Sequence, residues 1–265
     1  MSTTDLADDV AGAAGGAVQS VDRAIQILEM LSDAPSLGVS EISRRLGVHR
    51  STAFRLLATL EARNLVEQEE RRGEYQLGFG VLRLAGHVTA RMDIVKDAQQ
   101  VCDDLTAELN ETSNVAILDN GAAVNVTQAT GTRLVSVTRQ YVGQRTPLHA
   151  TSTGKVLLAS AGPDVVRQAL HQSLDRYTDN TITSPAALEE HLELVRERGW
   201  AAAAEEWEYD TNALAVPVPG RDGSVVAALS ITAPSFRMPE SSFPDLAEVL
   251  LRHARLLGAR LGAAV

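Results

Sequence analysis

Apolar positions set three successive rhythms along residues 18–78. Val21, Ile25, Leu28 and Leu31 recur at steps of three and four, which predicts a helix over 20–32 with Ser20 as its N-cap. Ile42, Leu46, Val48, Ala53 and Leu56 then fall where two short helices would face each other and the first. Ser43 is small where those helices approach, and Gly47 marks the turn between them, a place where a positive φ is cheap for glycine. After this the period drops to two: 65–68 and 74–77 alternate, and the charged, Gly73-containing segment between them reads as a hairpin loop. Helix, helix-turn-helix and hairpin in that order predict a winged helix-turn-helix.

Helical spacing returns with Leu82, Ala85, Val88 and Met92, the stripe of a linker helix, and continues through Ile94, Val95, Val101, Leu105 and Leu109. Beyond it, strands are predicted over 114–118, 123–128, 134–138, 200–206, 212–218 and 224–232, with helices over 153–160, 163–172, 185–198 and 240–262. Asp119-Asn120-Gly121 and Arg221-Asp222-Gly223 are turn signals between neighbouring runs. Such short links predict a mostly antiparallel sheet with helices beside it, an α+β domain. The predicted organisation is a disordered tail (1–17, rich in Ala, Gly and Asp), a winged helix (18–78), a linker helix (79–93) and a second domain (94–265).

Charge sharpens the first domain. The chain is acidic overall, with a formal net charge of −10 and a pI near 5.1, the wrong sign for a general polyanion binder. Yet residues 44–63 carry five arginines against one acid, Glu61. This basic patch coincides with the second helix of the helix-turn-helix, which reads as a DNA recognition helix. Candidate base contacts are His49, Arg50, Ser51, Thr52 and Arg55; candidate backbone contacts are Ser40, Arg44 and the wing arginines Arg71 and Arg72. The acidic remainder disfavours loose, sequence-independent binding. One cysteine, Cys102, excludes an intrachain disulfide and reads as a small core residue, and no Cys/His cluster has metal spacing. No signal peptide or membrane-spanning run is visible, which predicts a cytoplasmic protein with no membrane partner and no metal or cofactor.

The second informative stretch is 147–160, PLHATSTGKVLLAS. Ser152 or Thr153 is expected to cap a helix beginning near Gly154, and the unpaired N–H groups of a helix start suit a carboxylate or phosphate. The small residues Ala150, Ser152 and Gly154 would let a ligand approach the backbone. Gly154-Lys155 is not a phosphate-binding loop, because His149 and Val156 stand where that loop needs Gly and Ser or Thr. Ser152-Thr153-Gly154-Lys155 also fits the S-x-x-K pattern of acyl-enzyme hydrolases, an alternative that lacks the companion K-T-G strand. A second alternative is a sensor domain acting through a protein partner beside a vestigial winged helix.

The order Gln19-Ser20-Val21-Asp22-Arg23-Ala24, Arg50-Ser51-Thr52, Tyr75-Gln76-Leu77-Gly78, then Leu148-His149-Ala150-Thr151-Ser152-Thr153-Gly154-Lys155 and 225–230 resembles the IclR family of bacterial transcriptional regulators over about residues 19–260. The resemblance implies a winged-helix DNA-binding domain, a linker helix and a GAF-like effector domain. It implies a homodimer, or a dimer of dimers, on palindromic double-stranded DNA. It also implies regulation, more often repression, of catabolic genes in response to a small organic acid. Carried over by motif, the effector would meet Ser152, Thr153 and Gly154 at the helix start and Ser230 and Thr232 on the last strand. Ala203 and Ala204 stand where the family has an acid, and Ala213 where it has a cysteine. Those alanines imply a roomier, less polar pocket suited to a larger, more apolar acid.

Overall fold

The computed structural model describes residues 18–69, 73–89, 93–133 and 141–263, with only the backbone of 86–89 and 93. The expectations for the 1–17 tail, Arg71, Arg72, Met92, the 134–138 strand and the Val88 side chain lie outside the described residues. The chain divides into two units that part between Arg91 and Met92.

In the first unit, α1 (Gln19–Ser32), α2 (Val39–Arg45) and α3 (Arg50–Glu61) close over a three-stranded antiparallel sheet in the order β1-β3-β2. The strands are β1 (Leu37–Gly38), β2 (Val66–Gln68) and β3 (Glu74–Leu77). The core is Ile27, Leu31, Leu37, Ile42, Ala53, Leu57, Leu60, Val66 and Tyr75. Two details depart from the sequence reading. Val18, not Ser20, is the N-cap of α1, and no side chain caps that helix. β1 was not foreseen: two residues are too short to show a period, and Leu37 is held by pairing with Tyr75. The helix-turn-helix turn ends α2 in a Schellman motif, with Val48 N–H donating to Ser43 O and Gly47 N–H to Arg44 O. The φ of +64° at Gly47 is what that motif requires of its residue. Helix α4 (Gly80–Thr89) ends the unit.

The second unit is a six-stranded antiparallel sheet in the order β6-β5-β4-β9-β8-β7. Its strands are β4 (Thr112–Asp119), β5 (Ala122–Ala129), β6 (Arg145–Thr146), β7 (Ala201–Ala204), β8 (Thr211–Pro219) and β9 (Val225–Pro234). Two helices, α5 (Asp93–Leu109) and α9 (Phe243–Arg260), cover one face; α6 (Ser152–Ala159), α7 (Pro163–His171) and α8 (Pro185–Arg198) cover the other. The alternation of β9 explains this division. Ala227, Leu229, Ile231 and Ala233 enter the α5/α9 core, Ala228 joins the α6/α8 core, and Ser230 and Thr232 share its side. A bulge interrupts the β4–β5 ladder: Val115 pairs with Thr127 but Ala116 pairs with Asn125, leaving Val126 as the extra residue. Cys102 is fully buried on α5, and burial pushes its thiol up to about 11, so it is a packing residue.

Candidate functional site

The N-terminal candidate surface is built on α3. His49 is its N-cap, with Nδ1 accepting from the Ser51 N–H and lying 2.8 Å from the Ser51 hydroxyl. Ala53, Leu57 and Leu60 turn into the core, which leaves Arg50, Ser51, Phe54, Arg55 and Ala58 on the outer face. Thr52 is half-buried at the edge of that face. Among the described residues Arg50 and Arg55 form no ion pair, so their guanidinium groups are uncommitted. Arg44 differs. It and Arg45 both bind Glu41, at 2.6 and 2.7 Å, which raises the Arg44 guanidinium and lowers the Glu41 carboxyl through the hydrogen bonds. All three are solvent-facing, so the pair is weak and leaves Arg44 able to turn toward another anion. Ser40 is exposed in the first turn of α2. Phe54, exposed in the middle of the face, escaped the sequence reading because an apolar residue in a helical pattern reads as core.

The C-terminal candidate site is a narrow cavity, partly open to solvent, between the start of α6 and the sheet. Ala150, Ser152, Thr153, Ala203, Ala213, Ser230 and Thr232 all line it, so residues far apart in sequence meet there. Gly154 does not line it. A Cβ at Gly154 would stand 2.5 Å from Leu148 Cα, so this glycine lets the helix pack on the 147–148 backbone. Nor is its N–H free: Thr151 Oγ1 accepts it at 3.1 Å, which makes Thr151 the N-cap in place of Ser152 or Thr153. With Lys155 N–H bound to Thr151 O, the helix-start donors left without an acceptor among the described residues are those of Ser152 and Thr153.

Several lining residues were not foreseen: Asn114, Asn125, Thr146, Thr151, Trp207, Glu208 and Thr211. The two asparagines carried a signal, since Asn is depleted in strands and both stand at positions in phase with the α6 side of the sheet. They make the cavity floor a graded row. Thr146, Asn125, Asn114, Ser230 and Thr232 give it hydroxyls and amides on β6, β5, β4 and β9, whereas β7 contributes Ala203 and β8 contributes Ala213 with the hydroxyl of Thr211 at its start. The inferred apolar character therefore holds only at one end, and Ala204 contributes nothing to it because it turns into the α5/α9 side.

Lys155 is fully buried, with Nζ donating to Ala202 O at 2.9 Å and to Glu206 Oε1 at 2.6 Å. Burial lowers the lysine and raises the glutamate, each against the attraction of the other. The pair fastens α6 to the loop after β7, which carries Trp207 and Glu208 to the cavity wall. An amine so engaged cannot serve Ser152 as a base, which removes the S-x-x-K hydrolase alternative. Among the described residues no three His, Cys, Asp or Glu side chains cluster as a metal site, and no helix is long and apolar enough to cross a membrane.

Both units have known relatives. Residues 20–70 match the IclR helix-turn-helix domain, and residues 86–258 match the family described as bacterial transcriptional regulator IclR C-terminal. The HTH-type transcriptional regulator XynR of Escherichia coli strain K12 is 31% identical over 247 residues, 92% of this chain and 98% of its own. The HTH-type transcriptional repressor AllR of the same strain is 33% identical, over 92% of this chain and 90% of its own. An IclR homologue from Microbacterium hydrocarbonoxydans, solved in complex with 4-hydroxybenzoate, superposes with a TM-score of 0.77 at 26% identity, over 92% of this chain and 100% of that one. A winged helix with exposed arginines on α3, joined in one chain to a sheet domain with a cavity, and these likenesses along nearly its whole length, place the chain in the IclR family of bacterial transcriptional regulators.

Proposed function

We propose that this protein is a ligand-responsive repressor of a catabolic operon, binding a palindromic operator as a homodimer or dimer of dimers in the cytoplasm and sensing a small organic acid. The observation that carries the acid is the cavity at the start of α6, where the Ser152 and Thr153 N–H groups have no acceptor among the described residues. These two donors at the positive end of a helix complement one carboxylate. Repression is supported by the likeness to AllR, and a small acid by the 4-hydroxybenzoate complex of the Microbacterium homologue. On the DNA side, Arg50, Ser51, Thr52 and Arg55 with His49 read base edges, while Ser40, Arg44, Arg71 and Arg72 hold phosphates.

Proline tests the anion site directly. Ser152 is the first residue of α6, and Thr151 before it is extended at φ −120°, ψ 150°, a conformation that tolerates a following proline. Ser152→Pro removes one proposed donor without removing an intrahelical hydrogen bond. Calorimetry with small carboxylic acids should show binding to the wild type that weakens about tenfold or more in this variant, as expected for loss of a charge-assisted hydrogen bond. Unchanged affinity, or a preference for cations, would place the effector elsewhere.

A further inference from the structure

We infer that the effector is a hydroxy acid, and that Asn125 reads its hydroxyl. This rests on the acid-sensing assignment above and deepens it.

Three buried side chains form a single file across β9, β4 and β5. The Ser230 hydroxyl donates to Asn114 Oδ1 at 2.6 Å, and Asn114 Nδ2 donates to Asn125 Oδ1 at 2.7 Å. The file then stops. Asn125 Nδ2 has no acceptor among the described residues, although the residue is only 2% exposed and lines the cavity. The amide donor therefore opens onto the cavity, where a ligand oxygen can take it up in place of solvent, and a ligand without such an oxygen would bury it unpaired. The bulge beside it supports a built feature: the extra residue, Val126, shifts the register so that Asn125 pairs with Ala116, a residue of the α6-side core. The neighbouring Thr146 hydroxyl is already given to Ala123 O, so it does not compete as a donor.

A hydroxyl suits this file in both of its settings. The two amides are coupled: turning both would present Asn125 Oδ1 to the cavity instead of Nδ2, with Asn114 Nδ2 then donating to Ser230. A hydroxyl, which both donates and accepts, satisfies either setting; a keto oxygen satisfies only one. A second carboxylate is disfavoured because Glu208 stands in the same cavity wall. The alanines of β7 and β8 and Trp207 leave an apolar stretch for the carbon skeleton. The ligand that matches this lining carries one carboxylate at α6, an uncharged hydroxyl at Asn125 and apolar carbon alongside.

The test is calorimetry with acids that differ by one hydroxyl: benzoate against 3- and 4-hydroxybenzoate, hexanoate against 6-hydroxyhexanoate, with terephthalate as the dicarboxylate. In the wild type, at least one hydroxylated member should bind about tenfold or more tightly than its parent acid, because a site built to bond a hydroxyl rejects the analogue lacking it. In Asn125→Leu that ratio should collapse toward one. The double variant Asn114→Leu, Asn125→Leu replaces both coupled amides by side chains of similar size and serves if the single change prevents folding. Parent and hydroxylated acids binding alike in the wild type, a ratio that survives Asn125→Leu, or tightest binding of terephthalate would each overturn the inference while leaving the acid sensor standing. Binding of none of these acids would overturn both.

Discussion

At the scale of single residues, ion pairing separates arginines that sequence alone treats alike. Arg44 and Arg45 share Glu41, whereas Arg50 and Arg55 on the outer face of α3 have no acidic partner among the described residues. Removing either of the latter breaks no ion pair among the described residues, so Arg50→Ala and Arg55→Ala should fold with little change in melting temperature. Each should cost about 1–3 kcal/mol of operator binding, concentrated at one base position. Competition binding against single-substituted operators measures this; a loss spread evenly over all sequences would make these arginines phosphate contacts instead. Helix α3 was legible because its polar and basic residues lie close together in sequence. The cavity was only half legible. Ala150, Ser152 and Thr153 sit in one motif, but Asn114, Asn125 and Trp207 reach the cavity by strand pairing and a loop, relations that sequence order does not record.

At the scale of elements, periodicity found α1, α3, α5, α8, α9 and the long strands because each buries one face. It missed β1 and β6, two residues each, where there is too little chain for a period. It also could not see what lies beneath α6. Every residue of that helix is buried, including Lys155, so no polar stripe marks its outward side. One consequence is testable by pH. His191 on α8 lies partly buried, its Nε2 without a partner among the described residues, and burial, then Lys155 and Arg198, lower it from 6.5 to about 4. Its depressed value means that below pH 6.5 the unfolded chain takes up a proton that the folded one refuses. Stability contributed by the neutral ring is therefore present above pH 6.5 and is lost as pH falls toward 4. His191→Leu removes this term and leaves no buried acceptor unpaired, so its melting temperature should fall less than that of the wild type between pH 7.5 and 5. After a discount for partial exposure, the difference should reach about 1 kcal/mol at pH 5. Parallel melting curves across that range would show that the ring finds a proton acceptor in the folded state.

At the scale of the whole molecule, one winged helix offers a small contact with DNA, and an overall charge of −10 opposes it. The proposed pair of copies on a palindrome would resolve this, since the second contact becomes intramolecular and gains effective concentration. The proposed seam is the stripe begun by Leu82 and Ala85 on α4. Phe79, just before α4, and Leu82, three residues on, are 78% and 66% exposed, apolar surface that a lone chain would leave in water. Leu82→Asp places a charge in that seam without touching the core of the winged helix, so each unit should fold as before. Sedimentation should show the wild type as a dimer or larger at micromolar concentration and the variant shifted toward monomer. Its operator affinity should drop by about a hundredfold, within the range that loss of bivalency produces. The effector response supplies a second reading of the same variant. A tenfold effector-dependent change in operator affinity needs about 1.4 kcal/mol of coupling, and by linkage the DNA must change effector affinity equally. If the effector acts by favouring one arrangement of paired DNA-binding domains, Leu82→Asp should abolish this tenfold response while leaving effector binding itself intact. A monomeric wild type, or a variant that stays dimeric and fully responsive, would move the seam off α4.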